Sequence, residues 1–393
     1  MHRSFIFGII RHMKIILAFV VGFSVATLFA GDWVFDQDKG TVTDGEFVYS
    51  ATLKDGGVAI GKIKSCPLEA VCLDFRKPVA DAAGKPLKFT EWSPEFAQGI
   101  RRLREIHFDT AVPPAGLRQP YLKDVAPWIG VATVIHTDED IGAWKRLQSG
   151  HKAPEKCCFL RRLNTLPEMP KDPAHRIVAH MGGNEFARSN TAGAYKAAVE
   201  NGVISLECDT QMAPEGYLYL NHDPQKNYAE MTKLKEILPF VQKGIDLQLD
   251  CKCRESGEDE QVRILKEDGA HLRGRIIFAT WSSKFSKRIH KELPGAVVWM
   301  PKMMRKGSKA EDHSNTPLGI AAAVACFNAE GVALQWNPEV CTQEFLEELS
   351  RYGVEVDVWT IDDVEEVRLA LSRGARWVTT NKPTKMIKSL KDM

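Results

Sequence analysis

Two histidines, three carboxylates and a lysine stand at intervals in this chain that suit phosphoryl transfer. His180 closes a short apolar run, Glu207 and Asp209 lie two apart at the end of a second, and Asp250 and Lys252 lie two apart at the end of a third. His222 follows a hairpin-like stretch after the second run. A spacing of two puts both members of a pair on one face of a strand. Three carboxylates meeting at one place repel each other unless a cation holds them, and an oxygen-only ligand set suits a hard divalent ion, Mg2+ or Ca2+. Histidines, whose unperturbed pKa is about 6.5, suit taking a proton from an attacking oxygen and returning one to a departing oxygen.

The elements that must position these groups are legible from Arg176 onward. Strand-like runs are expected at Arg176–Ala179, Ser205–Asp209, Asp246–Cys251, Ile276–Thr280, Ala296–Met300, Val332–Trp336, Val354–Thr360 and Trp377–Thr380. Helical spacing separates them: Thr191, Ala194, Tyr195 and Ala198 behind Asn190 as the expected cap, and Phe345, Leu346 and Leu349 between Thr342 and Gly353. A helix from Asp362 and Asp363 through Val364, Val367 and Leu371 to Gly374 follows the same pattern. Strands alternating with helices predict an α/β fold, a (β/α)8 TIM barrel whose reactive groups sit at the C-terminal ends of its strands. An open doubly wound sheet is the alternative that pattern alone allows.

Upstream, short alternating stretches such as Glu46 to Tyr49 and Val58 to Ile60 lie between Asp-Gly and Gly-Gly turn signals, which predicts a smaller β-rich domain. No cluster of histidines and carboxylates shows along it. The expected organisation is a signal peptide at 1–30, a β-rich accessory domain at 31–165, a linker at 166–174 with its prolines and charges, and the barrel at 175–393. Arg3, Arg11, His12 and Lys14 precede the charge-free run from Ile15 to Phe29, the layout of a secretory signal, with an uncleaved anchor as the competing reading. Cleavage predicts a secreted or periplasmic protein with no stable membrane span.

Hydrophobic residues at 44% and charged residues at 26% are those of a globular protein, and a formal net charge of +1 supplies no global field for nucleic acid. Phosphate recognition must therefore be local, and the expected partner is a small-molecule phosphodiester. Nine cysteines are an odd number without the spacing of a stapled scaffold. Cys157-Cys158 and the Cys251/Cys253 pair have no nearby histidine to complete a zinc set, so they read as ordinary strand residues.

The ordered motifs resemble the glycerophosphodiester phosphodiesterase family, whose barrel is of the phosphatidylinositol-phosphodiesterase-like type. His180-Met181-Gly182 stands where the family has His-Arg-Gly, Ser189-Asn190-Thr191 where it has Glu-Asn-Thr, and Glu207-Cys208-Asp209 matches its Glu-x-Asp. His222-Asp223 matches its His-Asp, Asp250-Cys251-Lys252 its Glu-x-Lys, Trp359-Thr360 its Trp-Thr, and Thr380-Asn381-Lys382-Pro383 its closing Thr-Asp-x-Pro. The resemblance implies His180 and His222 as the catalytic acid/base pair, Glu207, Asp209 and Asp250 as metal ligands, and Lys252 and Trp359 as substrate-binding residues. Lys252 would neutralise the phosphate and Trp359 would wall the alcohol. Met181 and Ser189 replace a family arginine and glutamate, which marks a divergent member. The stretch from Pro224 to Gly244 is also shorter than the insertion most relatives carry there.

Two functions follow as expectations. One is metal-dependent hydrolysis of glycerophosphodiesters or related phospholipid-derived diesters, by water or by a neighbouring substrate hydroxyl. The other is a non-catalytic cell-surface or binding protein with a degenerate phosphodiesterase barrel. A sugar-active enzyme on the same fold would need two carboxylates and no histidine pair.

Overall fold

The computed structural model describes residues 32–68, 72–93, 96–97, 100, 103–115, 117, 132–149, 158–253, 255–268, 271–304, 307 and 313–391. The expected signal peptide at 1–30 lies outside them. The described residues of 1–68, 77–100 and 114–117 form one compact unit, and those of 69–76, 101–113 and 118–393 form another.

The first unit is a seven-stranded sheet. Strands β1 (Trp33–Asp36), β2 (Thr41–Thr43), β3 (Val48–Lys54) and β4 (Gly57–Ser65) run as an antiparallel meander. With β5 (Cys72–Asp74) in the other unit, β6 (Val79–Asp81), β7 (Pro86–Leu87) and β8 (Phe89–Trp92) complete the order β7-β6-β1-β2-β3-β4-β8. Trp33 packs against Tyr49 and Phe89, with ring centroids 5.9 Å apart in both pairs, so aromatic burial holds this sheet's face.

The second unit holds two parallel sheets. A four-stranded sheet has the order β11-β10-β9-β5, with β9 (Glu105–Phe108), β10 (Ala132–His136) and β11 (Cys158–Arg162). Phe75, Phe108, Trp144 and Phe159 pack ring against ring along one of its faces, the first pair stacked and the others tilted. Arg162 joins it to the barrel by a two-pronged pair with Glu348, at 2.6 and 2.7 Å. On the sheet's other side Cys72, Glu105, His107 and His136 come together. This corrects the sequence reading of an upstream segment without a His/carboxylate cluster: the members are dispersed over three strands and meet only through strand pairing.

The barrel is built from β12 (Ile177–Ala179), β13 (Ser205–Met212), β15 (Asp246–Cys251), β16 (Ile276–Ala279), β17 (Val297–Lys302), β18 (Gly331–Gln335), β19 (Glu355–Trp359) and β20 (Trp377–Thr380). All eight pair in parallel, and the β12–β13 and β12–β20 ladders close the ring. The open doubly wound alternative is thereby excluded. Strand β14 (Leu218–Leu220) is an antiparallel extension of β13 and carries the chain to His222.

Alternation along the strands divides the barrel's interior into two ends. Val178, Ile277, Trp299 and Trp377 form an apolar plug. Two residues further along the chain from each stand His180, just past the end of β12, and Ala279, Pro301 and Thr379, all lining the cavity above the plug. The helices close over the outer faces with side-chain caps: Thr191, Ser282, Thr316, Thr342 and Asp363 each accept a backbone N–H of the first turn. The cap expected at Asn190 is at Thr191 instead, and Asn190 turns inward. Among the described residues no helix is long and apolar enough to cross a membrane.

Close packing at the plug makes a testable demand. A Cβ on Gly331 would lie 2.5 Å from Trp299 Cδ1 and 2.6 Å from the Glu355 carbonyl oxygen, and neither a packed indole nor a ladder backbone can move cheaply. Gly331→Ala should therefore lose about 1–3 kcal/mol in urea denaturation, and an unchanged midpoint would mean the barrel floor is looser than its geometry.

Candidate active site

The mouth of the barrel is a cavity of about 410 Å3. His180, Glu207, Asp209, His222, Asp250, Lys252 and Trp359 all line it, so every site residue expected from the sequence is brought to one place.

Strand register assembles the carboxylates. Glu207 and Asp209 alternate inward on β13, and Asp209 is the direct ladder partner of Asp250 on β15. Oxygens of the three lie within 4.8 Å of one another. Burial first, then the charges of Asp209 and Asp250, push Glu207 well above the usual carboxylate range. Burial also raises Asp250, against the opposing pull of Lys252. Lys252 Nζ lies 2.8 Å from Asp250 Oδ2 and 3.5 Å from Asp209 Oδ1. Burial would lower its pKa, yet the carboxylates around it hold the ammonium above its ordinary value.

One positive charge facing three acids leaves the cluster short of cation. Asp250 Oδ1 is buried and has no hydrogen-bond partner. A divalent metal supplies both the missing charge and a partner for that oxygen, and hard oxygen donors suit Mg2+ or Ca2+. The residues present therefore fit such an ion.

Donors fix the carboxylates in place. The Met181 backbone N–H donates to Glu207 Oε2 at 2.8 Å, made possible by a left-handed turn with φ +52° at Met181. Gly182 follows at φ +78°, where an added Cβ would meet the Tyr195 ring at 2.9 Å. Asn190 Nδ2 donates to Asp209 Oδ2 at 3.3 Å, while Asn190 Oδ1 accepts from the Tyr195 hydroxyl at 2.7 Å.

Both imidazoles are oriented by their Nδ1 sides. Asp362 accepts from the Asn381 backbone N–H and from its Nδ2, each at 2.8 Å, so Asn381 presents Oδ1 to His180 Nδ1, also at 2.8 Å. That puts the His180 proton on Nδ1 and leaves Nε2 with its lone pair, 4.0 Å from Glu207 Oε2. At the rim, His222 Nδ1 lies 3.0 Å from Asp223 Oδ1, which leaves its Nε2 available in the same way. His180 is mostly buried, whereas His222 is half exposed at the entrance.

Several functional positions escaped the sequence reading. In the sequence Asn190 reads as a helix cap within a motif match and Asn381 as a motif residue, and neither position nor Asp362 announces a contact with Asp209 or His180. A carboxylate before a helix has an ordinary capping explanation, so nothing local distinguishes Asp362. Trp281 and Met303 add exposed apolar surface to the rim. Ser189 is not among the lining residues, and its hydroxyl contacts the Gly183 carbonyl oxygen at 3.4 Å. Asp357, on the cavity floor, is fully enclosed, and burial pushes it up to about 7 despite bonds from Thr379, Gln248 and the Val358 N–H.

The glycerophosphoryl diester phosphodiesterase family model matches residues 245–385, from the third barrel strand onward. His180, Glu207, Asp209 and His222 precede the matched residues. Among solved structures, the chain is similar to a phosphodiesterase from Oleispira antarctica in complex with the product sn-glycerol-3-phosphate, at 16% identity over 57% of this chain and 98% of that one, TM-score 0.44. It is also similar to glycerophosphodiester phosphodiesterases from Thermotoga maritima (17%, 54% and 97%, TM-score 0.43) and Parabacteroides distasonis (18%, 55% and 97%, TM-score 0.45). No curated protein matches the sequence.

Asp357 makes stability depend on pH. The unfolded chain releases this proton near 3.8 and the folded chain near 7, so the folded state holds the extra proton between them and loses stability as pH rises through that window. The full loss is on the order of 4 kcal/mol. In chelator-containing buffer, Asp357→Asn should gain on the wild type from pH 4 to 7 and keep a constant advantage above it. Parallel urea-stability profiles would show that Asp357 ionises normally.

Proposed function

We propose, from the match of residues 245–385 to the glycerophosphoryl diester phosphodiesterase family model, that this chain hydrolyses glycerophosphodiesters or related phospholipid-derived diesters at the barrel mouth. The observation that carries the proposal is the meeting of two Nε2-presenting histidines, a lysine and three carboxylates in one cavity. Glu207, Asp209 and Asp250 would hold a divalent cation, Mg2+ or Ca2+, which when bound withdraws electron density from the phosphoryl group.

The chain's own residues supply the remaining work. Lys252 places a fixed positive charge beside the acids, where a phosphate oxygen can share it. One imidazole Nε2 takes a proton from the attacking oxygen, either water or a neighbouring substrate hydroxyl. The other imidazole, protonated, gives its proton to the departing alkoxide as the P–O bond breaks. Asn381 and Asp223 hold the two rings with Nδ1 outward from the cavity, so neither step requires a change of tautomer in the neutral ring. Trp359, Met181, Trp281 and Met303 wall the space left for the alcohol.

Phosphate release from a panel of diesters, coupled to a monoesterase, tests the proposal. Activity should require Mg2+ or Ca2+ and vanish with chelator, and His180→Ala or His222→Ala should each cost roughly 10²-fold or more in kcat. Turnover unaffected by either substitution would remove the histidines from the mechanism. A metal-binding but inert protein would favour the non-catalytic reading. In the same assay Met181→Arg with Ser189→Glu should raise kcat/KM about tenfold, because a guanidinium presents two parallel donors to phosphate and a thioether presents none. A lower value would make Met181 an adaptation to a more apolar alcohol.

The basic start and charge-free run of residues 1–30 support export by a cleaved signal. Mass spectrometry of the native protein should find a mature N-terminus between residues 27 and 31, and an intact Met1 or Met13 terminus would refute it.

A further inference from the structure

A second group of metal-ligating side chains lies on the four-stranded sheet, away from the residues of the barrel mouth. Cys72 pairs with Glu105 across the β5–β9 ladder, and His107 stands two residues beyond Glu105 on the same face. The ligand atoms of Cys72, Glu105 and His107 lie within 4.8 Å of one another. Around a tetrahedral zinc ion with bonds of about 2.0–2.3 Å, ligand atoms stand roughly 3.5 Å apart, so small rotations of three side chains close the set.

We propose that Cys72, Glu105 and His107 form a second metal site, which takes Zn2+ or a similar borderline ion. A thiolate and an imidazole select against Mg2+ and Ca2+, the ions that suit the all-oxygen cluster of the barrel mouth. The inference is independent of the phosphodiesterase reading.

The hydrogen bonds around His107 point to its Nε2 as the ligand atom. Arg76 can only donate, so His136 Nδ1, 3.2 Å away, accepts and the His136 proton sits on Nε2. That proton points at His107 Nδ1, at 2.8 Å, which leaves the His107 proton on Nε2, facing Glu105 Oε2 at 2.8 Å. A cation between Glu105 and His107 takes the place of that hydrogen. On binding, the Cys72 S–H bond breaks, an S–metal bond forms and one proton goes to solvent. The His107 proton is re-bound on Nδ1 and donated to His136, whose own proton moves to Nδ1. The Arg76 contact, the longest of the three, then opens. This leaves His107 supported by a partner on its other nitrogen, as metal-bound imidazoles generally are.

Three protein donors leave a fourth position, and a cavity of about 400 Å3 lies beside it. Glu105, His107 and His136 line this cavity together with Arg76, Arg162 and Tyr352. The fourth ligand is thus water or a small anion admitted through the cavity, the arrangement of an exchangeable site rather than a closed structural one.

Cobalt as a spectroscopic substitute tests the proposal on the full chain, stripped of metal and kept reduced. One equivalent of Co2+ should produce a thiolate-to-cobalt charge-transfer band that Zn2+ displaces and Mg2+ does not. The band should persist in Asp209→Asn/Asp250→Asn, which disables the barrel-mouth cluster, and disappear in Cys72→Ser. Glu105→Gln and His107→Gln keep the thiol and should each weaken Zn2+ binding at least tenfold, so the test survives a Cys72 variant that fails to fold. No band in the wild type, an equal band in folded Cys72→Ser, or unchanged Zn2+ affinity in both Glu105→Gln and His107→Gln would overturn it. Loss of phosphodiesterase activity plays no part in the readout, so the two proposals fail separately.

Discussion

Like charge held out of water is the constraint around which the barrel mouth is organised. Glu207, Asp209 and Asp250 converge within 4.8 Å, and two of the three are almost fully buried. Each neighbouring group answers that charge with a donor or a cation: the Met181 N–H on Glu207, Asn190 on Asp209, and Lys252 between Asp209 and Asp250. The tight left-handed passage at Met181 and Gly182 exists because the N–H must reach Glu207 and the backbone must clear Tyr195. An oxygen of Asp250 still lacks a partner, and a hard cation would supply one.

The barrel can tolerate such a mouth because its floor is apolar. Trp299 and Trp377 pack at 5.0 Å between centroids, and Arg275 and Arg376 lie over the Trp377 ring. The apolar packing lies at that end and the candidate site at the other, the usual division in this architecture. Two residues of strand separate them, so one inward side chain per strand contributes to packing and the next to the cavity.

Histidine orientation recurs as a device in two places. In the barrel, Asp362 fixes the Asn381 amide and Asn381 fixes His180; on the four-stranded sheet, Arg76 fixes His136 and His136 fixes His107. In both cases a group with only one possible hydrogen-bonding role sets the tautomer of a ring further along. The first chain leaves an Nε2 lone pair facing the mouth, and the second leaves an Nε2 proton facing a carboxylate.

The amino-acid sequence by itself determined the barrel's eight strands and the principal residues of its mouth. Those are properties of local order: alternation puts Glu207 with Asp209 and Asp250 with Lys252 on one face, and parallel strands separated by helices send all C-terminal ends in one direction. Closure of the ring rather than an open sheet was decided by the β12–β13 and β12–β20 ladders, which no local pattern encodes. Asn190, Asp362 and Asn381 became supporting groups only through tertiary contacts, because each has a sufficient local explanation as a cap or turn residue. The upstream segment shows the same limit more sharply. Its alternation foretells strands but not partners, and the Cys72, Glu105 and His107 set exists because β5 and β9, far apart along the chain, pair in a register that hydrophobic pattern alone does not specify.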